Sequence, residues 1–181
     1  MESITQFKSR RLAAAVCLFL LAASPALWAE ADPARLAAVS ERGAKVMPFS
    51  LEKTLHQFTK TSQGGVQEVI VRDSLDSENI ELIRRHLRDL SEKFAIGDFS
   101  GPESIHGPDM PGLAALKAAK PGSIGIAYAD EPAGASLTYT AKSKKLVQAV
   151  HRWFDAQVRD HGHDAMVMPA NCPHHKQHQS Q

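Results

Sequence analysis

An α+β domain is predicted for this chain, with a four-stranded antiparallel sheet and helices on one face. Three observations carry that expectation. Two stretches, Thr54 to Arg72 and Ile124 to Ala141, hold residues at two-residue spacing on either side of a turn, as strands of a hairpin do. Each is followed by a segment with apolar residues at three- and four-residue spacing, the mark of an amphipathic helix. The chain of 181 residues is 43% apolar, enough for one core.

Residues 1–31 are expected to be a signal peptide. Lys8, Arg10 and Arg11 precede an apolar run from Leu12 to Ala23, which is too short for the roughly 20 residues that span a bilayer. Ala29 and Ala31 suit a cleavage site before Asp32, and a cut after Ala29 is the alternative. A periplasmic or secreted location follows, without stable membrane insertion. The 21 basic and 20 acidic residues lose three and two to this segment, which leaves the exported part formally neutral. No field then steers it toward nucleic acid. Its one cysteine, Cys172, cannot close an internal disulfide.

The mature elements follow in order. Residues 32–46 form an N-terminal segment in which Asp32 caps a short helix over 33–42, closed by Gly43. The domain proper spans 47–162. Thr54, His56 and Phe58 share one strand face, Ser62 to Gly65 turns, and Val66 to Arg72 returns. Asp76 or Ser77 caps a helix carrying Ile80, Ile83, Leu87, Leu90 and Phe94 on one stripe, ended by Gly97. Glycines and prolines make Ala95 to Gly112 an irregular connector, and long connectors in compact domains are often functional. A short helix over Pro111 to Lys120, a second hairpin turning at Asp130 to Gly134, and a helix from Lys144 to His161 complete the domain. The two halves read as a ββα duplication, or as the likeness any two hairpin–helix units share. Residues 163–181 are polar and aperiodic, a His- and Met-rich flexible tail.

Histidine placement carries the functional reading. With Val147 as the centre of the last helix's stripe, His151 lies about 40° away and faces the core. His86 borders the stripe of the earlier helix, and His56 follows Phe58 inward. The connector adds His106, Asp109 and Met110 between prolines. The tail gathers His161, His163, Cys172, His174, His175 and His178 with two methionines. Imidazole with thioether suits copper, with zinc or nickel as alternatives. The leading expectation is therefore an exported protein that binds or buffers copper through His56, His86, His106, Met110 and His151, its tail helping in capture. A second reading is a small enzyme with His151 as general base oriented by Asp155. A third is a binding module for a small molecule, independent of metal. Phosphate-cradling loops and a G-x-S-x-G elbow do not occur. The oligomeric state is left open.

The stretches His56 to Thr61 with Gly64 and Gly65, Gly97 to Ser100, Ile105 to Leu113, and His151 to Gln157 with Asp160 to Gly162 resemble a group of small exported bacterial proteins often named aspartate carbamoyltransferase. The likeness covers about residues 47–165. It implies a small exported domain, often with a His-rich end, in which His56, His106, Met110, His151 and His161 recur. The Ser-Thr-Arg-Thr phosphate loop of carbamoyltransferases proper is missing from this chain.

Overall fold

A computed structural model describes residues 32–170. Helix α1 (Pro33–Val46) starts where Asp32 accepts a hydrogen bond from the Ala34 amide ahead of Pro33. It runs through Gly43, where the sequence placed its end. That glycine is buried inside the helix, and an added Cβ would stand 3.1 Å from Leu51 Cδ1, so its smallness serves packing and not termination.

The first hairpin, β1 (Thr54–Thr61) and β2 (Gly64–Val71), closes through Ser62 and Gln63. Helix α2 (Ser77–Ala95) is capped by Asp76, whose carboxylate accepts from Asn79 N, and it stops just before Gly97 at φ 82°. The connector is less irregular than its composition suggests: it contains α3 (Ser100–His106), followed by α4 (Leu113–Lys117). The second hairpin pairs β3 (Ile124–Glu131) with β4 (Gly134–Ala141). Helix α5 (Lys144–His161) has the predicted bounds, with Ser143 Oγ accepting from Leu146 N. A 3₁₀ turn (Gly162–Asp164) then leads into β5 (Ala165–Met168).

The sheet is five-stranded and mixed, in the order β3-β4-β2-β1-β5. Four strands are antiparallel to their neighbours, as expected, but β5 adds in parallel to β1, with His56 opposite Ala165. This corrects both the strand count and the tail: residues 163–168 belong to the fold. A four-residue strand is stable here because the edge of β1 supplies hydrogen-bond partners that the sequence of the segment cannot reveal.

Cross-strand register fixes one inner face. His56 faces Val69, Phe58 faces Gln67, and these continue to Ala135 and Leu137 on β4. Phe58, Val69, Ala135, Leu137 and Tyr139 are all buried there, under the helices. Helix α2 lies chiefly over β3 and β4, and α5 over β1, β2 and β5, so each hairpin is covered by the helix that follows the other. No helix of the described residues is long and apolar enough to cross a membrane.

Candidate functional site

Three histidines from three elements meet at the end of α5. His56 lies on the inner face of β1, His106 ends α3, and His161 ends α5. The His161 ring centre is 5.1 Å from that of His56 and 5.0 Å from that of His106. His86 of α2 reaches the same region, its ring 5.7 Å from Phe49, which stands 6.1 Å from His56. These four histidines line one small cavity of about 30 Å³, together with Gln67, Trp153 and Gln157. That is room for two or three waters, at about 10–15 Å³ each.

Burial sets the charge state. His56 is pushed down to about 4, first by burial and then by neighbouring His86 and His106. His161 is held well below its usual range by burial and by His56 and His106, with Asp160 opposing only in part. His86 is also lowered, mainly by burial. These imidazoles are neutral at pH 7, and a neutral imidazole keeps one nitrogen lone pair for a ligand.

His106 is oriented by a buried network. Its Nδ1 lies 2.9 Å from Asp160 Oδ2, and Arg35 of α1 donates to the same carboxylate at 2.7 and 2.5 Å. Arg35 also donates to the His106 carbonyl, and Arg42 to that of Ile105, so α1 holds the end of α3 by its backbone. Burial raises the Asp160 carboxyl, but hydrogen bonds from His106 and Arg35 overcome this and hold it well below the usual carboxylate range. A carboxylate on Nδ1 leaves Nε2 as the nitrogen for a ligand or substrate, an arrangement common to metal sites and general bases.

Four buried side-chain atoms of the described residues have no hydrogen-bond partner: His56 Nε2, His86 Nε2, Trp153 Nε1 and Gln157 Oε1. All four residues line this cavity. Each unpaired group costs about 1–3 kcal/mol. Their concentration along one polar cavity fits a shared guest, water or ligand, better than scattered defects of packing.

Several predicted residues lie elsewhere. His151 does not face the core. Its Nε2 lies 3.0 Å from the Thr61 carbonyl oxygen and 2.8 Å from that of Gly64, which ties α5 to the first hairpin. The inner stripe of α5 runs through Ala149, Val150, Trp153, Phe154, Ala156, Gln157 and Asp160. Its centre is roughly 110° from Val147 by helical geometry. Polar Gln157 and Asp160 disguised it. Asp155 pairs with Lys60 and does not orient His151. Met110 is buried in the hydrophobic core and does not line the cavity, and Asp109 is exposed. His163 is at the surface, its side chain 90% exposed beside Asp164. Cys172, His174, His175 and His178 lie outside the described residues, as does the segment 1–31.

Arg35, Asp160, Trp153 and Gln157 were not singled out from sequence. Only a stripe centred on Trp153 could have brought the last three forward. Among the described residues, no three His, Cys, Asp or Glu side chains are arranged to hold a metal ion together. Compared with family models, curated proteins and solved structures, the chain matches none.

Proposed function

We propose that the protein is an exported transition-metal-binding domain, copper being the preferred ion, with His56, His106 and His161 as its ligands. The observation that supports this most is the pair of 5.0–5.1 Å ring separations about His161 in a buried cavity. With metal–nitrogen bonds of about 2.0 Å and a tetrahedral angle, two imidazoles on one ion have ring centres about 5 Å apart. The rings must turn to aim their nitrogens at a common point. Low proton affinity favours binding, since a metal competes with protons for the same lone pairs. Among divalent first-row ions, an imidazole set takes Cu(II) most tightly. The Asp160 carboxylate on His106 Nδ1 then acts as the outer partner that fixes ring orientation.

Calorimetric titration with Cu(II) tests the reading on the chain from Asp32 to Gln181 and on one ending at Ala170, which separates the domain from the last 11 residues. The shorter chain is expected to take one equivalent more tightly than micromolar, and His161→Ala to lose that binding. Absence of such binding in the shorter chain would overturn the proposal, even if the longer chain binds. The His106–Asp160 pair also favours a second reading, a general base acting on a small substrate. Turnover of small esters that survives chelator and is lost in His106→Gln would decide for it.

A further inference from the structure

We infer that the protein is a twofold dimer joined at the free edge of β3, which pairs antiparallel with β3 of a second copy. The interface is independent of the metal reading. Val71 N donates to the Ala133 carbonyl and Ala141 N to that of Gln63, so the odd-numbered residues of β4 bond to β2 and the even-numbered ones to β3. Lys142 N donates to the Ser123 carbonyl in the same phase. Gly125, Ala127, Ala129 and Glu131 therefore bond to β4, while Ile124, Ile126, Tyr128 and Asp130 turn their backbone N–H and C=O groups outward. Among the described residues, β3 is the last strand on its side of the sheet. It is eight residues long, in unbroken register with β4, and has no proline, lysine or bulge, the devices that protect an edge from pairing. The opposite edge, β5, has only four residues.

The strand is complementary to itself. Pairing outward residues with outward residues about Ala127 sets Ile126 opposite Tyr128 of the second copy and Ile124 opposite Asp130, with Ala127 facing its own twin. Ile126 and Tyr128, half-buried against the core, then form two aromatic–β-branched pairs across the interface. On the other face Gly125, Ala127 and Ala129 meet, so nothing bulky holds the strands apart. The charges of β3, Asp130 and Glu131, stand at one end. Lys120 and Lys142, hydrogen-bonded through their backbones to Ser123, stand at the other. Antiparallel pairing brings the acidic end of each copy to these lysines of the other, in addition to Arg88 of its own copy, 3.5 Å from Asp130. Helix α2 lies over β3 and β4, so its mate runs beside it about two strand spacings away, roughly 10 Å, the distance at which helices pack.

Sedimentation equilibrium of the metal-free chain from Asp32 to Gln181 is expected to show a dimer at about 100 μM. Tyr128→Pro removes an outward N–H and no bond to β4, and should raise the dissociation constant at least about tenfold, since two intermolecular hydrogen bonds are lost. Ala127→Glu, at an exposed position, should raise it as well by setting like charges opposite each other. Circular dichroism checks that both variants are folded. Disulfide linkage reads the register separately, in a Cys172→Ser background that leaves no other cysteine in this chain. On oxidation Ala127→Cys should give a linked dimer, because its twin stands about 4.5 Å away at Cα, within disulfide reach. Ala129→Cys should not, its twin being about 13 Å away along the strand. A parent that is monomeric at about 100 μM would overturn the proposal. So would a dimer that both folded variants leave intact, since its contact would lie on another surface. Linkage through Ala129→Cys and not through Ala127→Cys would overturn the register.

Discussion

At the scale of single residues, Asp160 and Asp155 show why position on a helix outweighs chemistry. Both are aspartates of α5 with a basic partner, Arg35 and Lys60 respectively. The Asp160 side chain is fully buried and serves two partners, whereas that of Asp155 is 53% exposed. Removing one member of a buried ionic network leaves the others desolvated and unpaired, at about 3–5 kcal/mol. An exposed pair is worth about 0–1 kcal/mol. Asp160→Asn is therefore expected to lower unfolding stability by about 3 kcal/mol in urea titrations, and Asp155→Asn by less than about 1 kcal/mol. If the metal reading holds, Asp160→Asn also weakens copper binding by about 10–100-fold, because the ring of His106 loses its orienting carboxylate. Equal effects of the two substitutions would contradict the assignment of Asp160 as the site's anchor. His151, another α5 residue, contributes through the backbone of the first hairpin and not through a ligand.

Among the elements, α4 is seated on α5 by a glycine. Gly112 precedes α4 at φ 88°, and a Cβ there would stand 2.2 Å from the Ala149 carbonyl oxygen and 3.0 Å from Trp153 N. Gly107 has nearly the same φ, 90°, with nothing within 4 Å. They differ in ψ, 164° at Gly107 and −28° at Gly112, and only Gly112 is crowded. Gly107→Ala should cost only the strain of its positive-φ, extended backbone, about 1–3 kcal/mol. Gly112→Ala should cost more by at least about 2 kcal/mol, because atoms of the α5 backbone cannot move aside cheaply. Thermal and urea unfolding of both variants measure the difference, and similar losses would show that α4 and α5 can part freely. The same contact bears on the site, since Trp153, whose indole lines the cavity, stands on the backbone that Gly112 touches.

Over the whole molecule, the buried histidines make stability depend on pH. His56 titrates at about 4 when folded, against 6.5 ordinarily. Between these values the unfolded chain binds a proton that the folded chain does not, so stability falls as pH falls. The contribution is fully present above about 6.5 and is lost by about 4, and amounts to about 3 kcal/mol for His56 alone. His86 and His161, lowered in the same direction, deepen the loss. Below the ordinary aspartate value of 3.8, Asp160 extends it, since its carboxyl stays ionised in the folded chain after it is protonated in the unfolded one. Urea midpoints of the metal-free protein at pH 7.5, 6 and 4.5 should decline in that order. A flat profile would show that these imidazoles are solvated.

Much of this was legible in the residues themselves. Local signals, such as the Asp76 cap, Gly97, the apolar spacing in the last helix and the alternation in both hairpins, placed α2, α5 and four strands, because each depends on neighbours a few positions away. The inward turn of His56 was legible for the same reason: strand periodicity tied it to Phe58, and both are buried. What depended on distant partners was not. The stretch Ala165 to Met168 becomes a strand only beside β1, and polar Gln157 and Asp160 belong to the inner stripe of α5 only because His106, Arg35 and the cavity receive them. Sequence alone thus determined the α+β class and a supply of histidines on several elements. Tertiary structure alone decided which of them meet, replacing His151 with His161, because burial of a polar side chain is favourable only where the fold brings it a partner.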